Sequence, residues 1–473
     1  MPEHNLPSGW ACSTLGLVCS KLTDGSHNPP KGTDVGQPML SAKNIQNGII
    51  DFRQSHRLIP AELFESEDRR TSVSAHDVLL TIVGALGRTA VVPENCGKFT
   101  LQRSVAVLAA PGLNTKAFRY SLESYDFQQQ ILDNAKGTAQ KGIYLKKLRE
   151  LTVPIPPLAE QKVIADKLDT LLAQVDNTKA RLERIPAILK RFRQSVLAAA
   201  VSGRLTEEWR GTPSCSFGKP PLTIGPEKEE APDSWRWEKL TDLAILESGH
   251  TPRKSKPEYW KNGDVPWISL QDIRKAHGKV ITKTKFMPNM EGIKNSSARL
   301  LPAGTVCFSR DISVGYTTVM GREMATTQHF VNWICGERIN NIYLMYSFMA
   351  AKNHLTISGQ GSTVKTIYMP ACKQFRLLTP PLEEQTEIVR RVDQLFAHAD
   401  RIEQQVNQAL ARVNTLTQSI LAKAFRGELT EQWRKDNPEL TSGENSAEAL
   451  LERIKAERAA KAPAKRTRKK ATT

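Results

Sequence analysis

The sequence predicts a mixed α/β protein with an internal pseudo-two-fold repeat, in which two globular α+β domains are separated by two long antiparallel coiled-coil helices. The repeat is directly visible, because Gly203–Arg210 returns 224 positions later as Gly427–Arg434 with the shared pattern Gly-x-Leu-Thr-Glu-x-Trp-Arg. An apolar heptad pattern precedes each copy, and a stretch of short apolar runs precedes each heptad pattern. A chain of 473 residues exceeds the usual size of one domain. The repeated object is therefore a domain with its connecting helix.

The first block, residues 1–156, is predicted to be a globular domain that mixes strands and helices. Short apolar runs at Val78–Val83 and Val105–Leu108 have the length and the β-branched content of strands. The stretch Thr115–Asn134 has a helical pattern. Gly, Pro and Asn separate these runs, as is typical of turns.

The second block, residues 157–210, is predicted to be one long coiled-coil helix. Its apolar or small residues are spaced alternately by four and three positions, which is the heptad pattern of a helix seam. Pro186 lies inside this pattern and is expected to kink the helix or split it, and Gly203 is expected to end it. The predicted seam consists of Ile164, Leu168, Leu171, Val175, Thr178, Leu182, Ile185, Leu189, Phe192 and Val196.

A linker is predicted at 211–232, where Pro, Gly, Ser and charged residues are frequent. The third block, 233–380, repeats the first block weakly. Pro38–Ser41 resembles Pro266–Ser269, and Gly87–Thr89 resembles Gly315–Thr317, both at a spacing of 228. The third block is therefore predicted to be a second, diverged copy of the first domain.

The fourth block, 381–434, repeats the long helix, and two such helices are expected to pack antiparallel because each has an apolar stripe to bury. A short helix from Ser446 to Ala460 and a basic tail complete the chain at 435–473; the last thirteen residues contain six Lys or Arg and no acidic residue. The second seam, displaced by 224 from the first, consists of Ile388, Val392, Leu395, Ala399, Ile402, Val406, Ala409, Val413, Leu416 and Ile420.

Composition indicates a polyanionic partner and a cytoplasmic location. The formal net charge is +17, which favours nucleic acid as the partner. The seven cysteines are scattered without a C-x-x-C pair and no N-terminal signal segment is visible, so we expect a reduced, cytoplasmic protein. No apolar run approaches the ~18 residues of a membrane span, so no membrane association is expected.

The known catalytic motifs are not found, so no catalytic, cofactor-binding or metal-binding residue is predicted in this chain. A phosphate-binding G-x-x-x-x-G-K-[ST] loop is missing, and the nine histidines have no metal-ligand spacing. Asn28–Lys31 resembles the Asn-Pro-Pro-aromatic loop of adenine methyltransferases, but Lys31 replaces the aromatic residue that would stack on a flipped base. A Pro-rich surface loop is the better interpretation of that segment.

Binding residues are predicted instead, because Arg and Lys neutralise phosphates and Arg, Asn and Gln pair with base edges. The candidates occupy polar turns at related positions of the first and third blocks. In the first block they are Lys43, Asn44, Arg88, Gln102 and Arg103. In the third block they are Gln271, Asp272, Arg274, Arg310, Tyr316, Gln328 and His329.

The helical motifs resemble those of the specificity (S) subunits of type I restriction-modification systems. Their sequences are most similar to those of the type IA subfamily. The first copy contributes Ile155–Gln161 (IPPLAEQ), Leu168–Asp176 (LDTLLAQVD) and Arg191–Leu197 (RFRQSVL). The second copy contributes Pro380–Gln385 (PPLEEQ) and Leu421–Thr430 (LAKAFRGELT). The resemblance covers essentially the whole chain, although the globular blocks share only a general likeness.

The resemblance implies a non-catalytic subunit that reads double-stranded DNA. The first and third blocks would be target-recognition domains, each reading one half of an asymmetric bipartite site. The helices would set the spacer between the halves and dock two modification subunits, which bring S-adenosylmethionine and N6-adenine methylation. Two restriction subunits would bring ATP, Mg²⁺ and cleavage. An autonomous two-headed DNA-binding regulator and an enzyme with an unrecognised active site remain as alternatives.

Overall fold

The computed structural model describes residues 6–137, 140–214, 220–225, 231–360 and 365–461. The chain divides into two compact units. Unit 1 combines Met1–Glu183 with Gln408–Thr473, and unit 2 is Arg184–Asn407. Each unit therefore contains one globular block together with a part of each long helix.

The elements of the first half mix short strands with helices. In chain order they are β1 (Ala11–Thr14), α1 (Leu15–Val18), β2 (Lys21–Asp24), β3 (Gln37–Leu40), β4 (Ile45–Gln46), β5 (Ile49–Ile50), β6 (Arg57–Ile59), α2 (Ala61–Asp68), β7 (Val78–Thr81), β8 (Thr89–Val91), β9 (Thr100–Leu101), β10 (Val105–Ala109), α3 (Thr115–Glu123), α4 (Tyr125–Asn134), α5 (Leu145–Glu150), β11 (Thr152–Ile155) and α6 (Leu158–Val201).

The second half also mixes short strands with helices. Its elements are α7 (Glu207–Arg210), β12 (Leu222–Ile224), β13 (Arg236–Lys239), α8 (Leu240–Leu243), β14 (Ala244–Ser248), β15 (Trp267–Ile268), α9 (Leu270–Lys275), β16 (Val280–Ile281), α10 (Met290–Lys294), β17 (Val306–Ser309), β18 (Thr317–Met320), β19 (Ala325–Thr326), β20 (Phe330–Cys335), α11 (Asn341–Ser358), α12 (Met369–Cys372), β21 (Phe375–Thr379), α13 (Leu382–Phe425), α14 (Glu431–Asp436) and α15 (Ala447–Lys461).

Unit 1 is built on a four-stranded sheet in the order β2-β10-β7-β8. All three pairings are antiparallel, and β7 and β10 are buried along nearly their whole length. The two runs predicted as strands are β7 and β10. The predicted helix over 115–134 is interrupted, since Ser124 has an extended backbone and separates α3 from α4. Phe118 and Phe127 of these helices pack on the sheet and form its core with Leu80 and Leu108.

Unit 2 is built on a five-stranded sheet in the order β14-β20-β17-β18-β16. The β17–β18 hairpin has the register of the β7–β8 hairpin, since Phe308 opposes Thr317 as Leu80 opposes Thr89, at a displacement of 228. An aromatic cluster fills the core, and Phe308 stacks on Phe348 with ring centroids 4.6 Å apart. The two units therefore share a hairpin frame.

The segment predicted as a linker contains a strand. Leu222 of β12 opposes Leu377 of β21 in a three-stranded sheet, and its side chain is fully buried. The strand lies at the edge of the sheet and buries apolar side chains there. The free energy of this burial outweighs the turn-forming tendency of the surrounding Pro, Gly and Ser residues. Residues 215–219 and 226–230 of the predicted linker lie outside the described residues.

The long helices α6 and α13 each have 44 residues and pack on each other in both units. In unit 1, Ile164 and Leu168 near the start of α6 pack with Leu421 near the end of α13. In unit 2, residues near the end of α6, such as Val196, pack with Ile388 near the start of α13. This exchange of starts and ends means that the helices run antiparallel, which confirms the prediction.

The predicted seam is buried at only part of its positions. In the middle of α13, Ala399, Val406 and Val413 are buried. Thr178 is exposed and Leu416 is 44% exposed, because two helices alone cannot surround a seam residue. Pro186 does not split α6, which is continuous on both sides of it. A proline removes one backbone donor, and in this helix the neighbouring turns continue without that hydrogen bond.

A buried glutamate joins the two helices in unit 1. Glu160, in the first turn of α6, has a fully buried side chain and accepts hydrogen bonds from Trp10 Nε1 at 2.8 Å and Thr430 Oγ1 at 2.5 Å. Arg434 forms an ion pair with the same carboxylate. The Arg434 guanidinium also donates to the Gly427 carbonyl at 2.6 Å. We call Trp10, Glu160, Thr430 and Arg434 the glutamate cluster of unit 1.

Unit 2 contains the same arrangement with different chain segments. Glu384 is 2% exposed in the first turn of α13 and accepts hydrogen bonds from Trp235 Nε1 at 3.0 Å and Thr206 Oγ1 at 2.7 Å. Arg210 forms the ion pair. We call these four residues the glutamate cluster of unit 2. The repeated Gly-x-Leu-Thr-Glu-x-Trp-Arg segment therefore does more than end a helix, because its Thr and Arg hold the start of the other helix.

The glycine that opens each repeated segment has a positive φ, +78° at Gly203 and +77° at Gly427. A Cβ at either position would meet the guanidinium of Arg210 or Arg434 at 2.9 Å. Glycine therefore serves both the helix ending and the arginine that follows it.

The last helix is part of unit 1. Ala447, Leu450 and Ile454 of α15 join the core of unit 1, and Arg458 donates to the Gly16 carbonyl at 2.6 Å. The helix matches the predicted one within one residue at each end. The tail beyond residue 461 lies outside the described residues. None of the helices in the described ranges combines the length and the hydrophobicity needed to cross a membrane.

Candidate nucleic-acid interface

The twelve predicted binding residues lie in or beside three turns that the two units share. The first turn follows β3 in unit 1 and β15 in unit 2, the second is the tip of the β7–β8 or β17–β18 hairpin, and the third precedes β10 or β20. The first turn carries Lys43 and Asn44, or Gln271, Asp272 and Arg274; the second carries Arg88, or Arg310 and Tyr316; the third carries Gln102 and Arg103, or Gln328 and His329.

Two of the predicted residues have structural roles in the first turn. Asn44 is fully buried; its Oδ1 accepts from the Ser41 backbone N–H at 3.0 Å. At the equivalent position of unit 2, Asp272 Oδ2 accepts from the Ser269 backbone N–H at 3.0 Å and from Ser269 Oγ at 2.6 Å. Both pairs form capping boxes that begin a short helix. With their oxygens engaged in this way, Asn44 and Asp272 shape the turn and do not present a free base-reading edge.

The adjacent residues Gln271 and Asp272 give a matched test of the distinction between a residue that shapes the turn and one that is free to contact a base. Replacing Asp272 with alanine should lower the free energy of unfolding by about 1–3 kcal/mol, because the Ser269 and Lys285 backbone N–H groups lose their acceptor. Replacing the exposed Gln271 with alanine should leave stability unchanged and weaken DNA binding by about tenfold. Urea denaturation and a binding titration measure both; equal effects of the two substitutions on binding would contradict the assignment.

Three predicted residues of unit 2 come together at one cleft. Gln271, Gln328 and His329 line a cleft of about 550 Å³ with Thr251 and Lys254. The cleft holds amide, hydroxyl, imidazole and ammonium groups. This combination can donate to and accept from base edges while a lysine pairs with phosphate.

The polar groups of this cleft are held in place by their neighbours. Gln328 Oε1 accepts a hydrogen bond from Thr327 Oγ1 at 3.1 Å, and Gln271 Oε1 accepts from Lys285 Nζ at 3.3 Å. His329 Nδ1 lies 2.6 Å from Asp311 Oδ1 at the hairpin tip. The hydrogen bond from Thr327 thus orients the Gln328 amide, while the Gln271 amide has only an exposed lysine as its partner.

An aromatic cleft of about 420 Å³ adjoins the polar one and was not predicted from the sequence. Trp260 and Trp267 meet edge to face with centroids 5.4 Å apart, and Phe286, 43% exposed, lies beside them. The Trp267 indole N–H donates to the His250 carbonyl at 3.1 Å. Lys254 lines both clefts. Aromatic rings interleaved with lysine are typical of surfaces that bind nucleic acids. This grouping of residues is the sequence pattern from which the cleft could have been predicted.

The remaining candidates of unit 2 lie around the hairpin and outside the lining of the polar cleft. Arg274 donates to Ser313 Oγ at 2.6 Å, and Arg310 donates to the Gln328 carbonyl at 3.2 Å. Tyr316 packs against His277, and burial together with the Lys352 ammonium lowers the pKa of that imidazole. Arg274 and Arg310 therefore brace the hairpin tip against the neighbouring turns.

The candidates of unit 1 occupy the same turns with different chemistry. Lys43 is exposed and donates to Ser55 Oγ at 2.8 Å. Arg88 and Arg103 are exposed, and Gln102 is half-buried with its backbone N–H bonded to the Leu40 carbonyl. Unit 1 thus presents mainly cations where unit 2 presents amides and a tyrosine. One frame carries two different surfaces.

The buried cysteines offer no activated nucleophile. Burial raises the pKa of Cys19 to about 12 and that of Cys372 to about 12, so both remain protonated thiols at neutral pH. Among the residues that the structure describes, no group of three or more His, Cys, Asp or Glu is placed to hold a metal ion.

The chain matches a known family along most of its length. The family model of the type I restriction modification DNA specificity domain matches twice, at residues 7–187 and 232–412. The EcoKI specificity subunit of Escherichia coli K12 is 37% identical over 99% of this chain and 100% of its own length. The StySPI specificity subunit of Salmonella potsdam is 35% identical, with both chains covered completely.

Solved structures share the fold at low sequence identity. A chain from a structural study of complex assembly and conformational transition in a type I R-M system aligns with a TM-score of 0.67 at 19% identity, over 89% of this chain and 99% of that one. The HsdS subunit of Thermoanaerobacter tengcongensis aligns with a TM-score of 0.59 at 18% identity, over 89% and 98%. The two family matches and the full-length relatives show that the chain belongs to the specificity subunits of type I restriction-modification systems, which are the non-catalytic subunits.

Proposed function

We propose that the chain recognises an asymmetric, bipartite site in double-stranded DNA, with unit 1 reading one half and unit 2 the other. The observation that carries this proposal is that the two units share the backbone of the hairpin but differ in the residues exposed on its turns. The β7–β8 and β17–β18 hairpins have the same register, while Lys43 in the first turn is replaced by Gln271 and Arg88 at the hairpin by Tyr316. A repeated frame with different contact residues suits two different half-sites. The net charge of +17 supports a DNA partner.

The helices α6 and α13 connect the two readers, and we propose that they determine the gap between the half-sites. We further propose that two modification subunits bind the chain and supply S-adenosylmethionine for N6-adenine methylation. Two restriction subunits would add ATP-dependent and Mg²⁺-dependent cleavage. The chain itself then needs no cofactor, and a reducing cytoplasm suits its scattered thiols.

Exposed apolar residues at two repeated positions support the docking of a partner that is present twice. Leu158 at the start of α6 and Leu382 at the start of α13 are each 46% exposed. Trp209, after α6, is 47% exposed, and its counterpart Trp433 is partly exposed. Exposed apolar residues that recur in both repeats do not serve the core. Tryptophan is enriched among residues that dominate binding energy, so Trp209 and Trp433 are the best anchors.

Mapping methylated adenines tests the function directly. A host genome is sequenced with and without the gene for this chain, in the presence of its modification partner. The proposal predicts one bipartite motif with methyladenine in both halves, present only with the gene. The purified chain alone should transfer no methyl group to DNA. Site-specific regulation without any partner would instead favour an autonomous DNA-binding protein.

A further inference from the structure

Ile312 has a backbone conformation that its side chain disfavours. It lies at the tip of the β17–β18 hairpin with φ +54°. The other non-glycine residues with positive φ in the described ranges are Asn47, Ser72, His76 and Asn262, which are polar and unbranched at Cβ. A β-branched residue in the left-handed region is a genuine outlier. Such outliers persist only where the surroundings hold them, and they point to function.

Unit 1 shows how the same turn is made without strain. The equivalent residue of the β7–β8 hairpin, displaced by 228, is Gly84 with φ +79°. The second glycine of each tip is also left-handed, with φ +80° at Gly87 and +86° at Gly315. Equivalent backbone hydrogen bonds close both tips, from Gly87 N–H to the Thr81 carbonyl and from Gly315 N–H to the Ser309 carbonyl. The fold therefore accepts glycine at this position, yet unit 2 carries isoleucine.

The residues on either side of Ile312 are anchored. Asp311 is bonded to His329 at 2.6 Å, and Ser313 Oγ accepts from Arg274 at 2.6 Å. These bonds tie the tip to the two other turns of the candidate interface. They hold the left-handed backbone and fix the direction of the Ile312 side chain.

Burial does not repay this strain. The Ile312 side chain is 51% exposed at the hairpin tip, so it contributes little to the core of unit 2. An exposed apolar side chain held at a conformational cost among hydrogen-bonding groups gains most from a contact outside the molecule. The three anchored turns make bound DNA the partner, and this step rests on the proposed function.

We propose that Ile312 is a specificity-determining residue that packs on the 5-methyl group of a thymine in the half-site read by unit 2. That methyl is the apolar group that the base pairs display in the major groove, where the other groups are hydrogen-bond donors and acceptors. Unit 1, with Gly84 at the equivalent position, makes no such contact with its own half-site.

The test combines base and residue substitution in the full chain bound to its modification subunits. Each thymine of the mapped site is replaced in turn by deoxyuridine, which lacks the methyl group. The complex that carries Ile312 should bind the site about fourfold more weakly when deoxyuridine replaces one particular thymine of the unit 2 half-site. This is the effect expected from the loss of one apolar carbon. I312N should lose this discrimination, because asparagine accepts the left-handed region and has no apolar contact. I312V should retain it.

Thermal denaturation of the full chain supplies the second readout. I312N should raise the melting temperature by about 2 °C or more, since it relieves the strain, while I312V should not. A lower melting temperature for I312N, or binding that ignores every deoxyuridine replacement, would overturn the inference. If deoxyuridine is tolerated but I312N still weakens binding, Ile312 wedges between bases, and the thymine contact is wrong. A complex that recognises no specific site would refute the proposed function and this inference with it.

Discussion

Replacing Arg434 with methionine is expected to lower the free energy of unfolding of unit 1 by about 3–5 kcal/mol. The substitution leaves the carboxylate of Glu160 without its cation, in a side chain that is 0% exposed. The remaining donors, Trp10 and Thr430, supply neutral hydrogen bonds that do not compensate a buried charge. Because the cluster joins the start of α6 to the segment that follows α13, the loss should also loosen the helix pair in unit 1.

The control is Arg426, eight residues earlier, whose ion pair with Glu428 is about half-exposed on both sides. R426M should cost less than about 1 kcal/mol, as exposed ion pairs do. R210M should reproduce the large effect in unit 2, where Arg210 pairs with Glu384. Urea denaturation of each full-length variant measures these differences. Similar losses for R434M and R426M would mean that the buried cluster does not hold the helices.

The second large effect is expected at the partner interface. W209A should remove one modification subunit from the complex and W433A the other, while the double variant should bind neither. Truncation of an anchoring tryptophan typically costs 2 kcal/mol or more, or about thirtyfold in affinity for each site. Mass measurement of the assembled complex at fixed concentration shows the stoichiometry directly.

Ile245 gives the matched control, because this apolar residue of unit 2 is 63% exposed. By strand pairing its equivalent in unit 1 is Lys21, since Lys21 opposes Ala109 of β10 as Ile245 opposes Ile334 of β20. I245A should leave assembly unchanged. The tryptophan substitutions should leave DNA binding by the two units unchanged. Complete assembly by the double variant would place the docking surface elsewhere on the chain.

The long helices were the most predictable part of the fold. Their heptad pattern states which face is apolar, and two copies 224 residues apart imply mutual packing, as α6 and α13 confirm. The strand at Leu222–Ile224 was less accessible, because two apolar residues around a threonine, within a Pro-rich stretch, become a strand only when β21 is beside them. Local composition predicts turns well and distant pairing poorly.

The candidate site shows the same limit at the level of single residues. Asn44 and Asp272 are polar residues in a turn, and only the hydrogen bonds to Ser41 and Ser269 distinguish a cap from a reading group. The glutamate clusters were missed because Glu160 looks like a surface charge in an amphipathic helix. Its arginine partner lies 274 residues away in the sequence. Burial of a charge follows from long-range packing, and no local pattern encodes it.

In the proposed function, the two units read two half-sites independently. Exchanging residues 233–380 for those of another type I specificity subunit, followed by mapping of methylated adenines in the host genome, tests it most directly. We expect a new methylated motif in which one half is altered and the other half is retained. A motif altered in both halves, from an active complex, would contradict the claim.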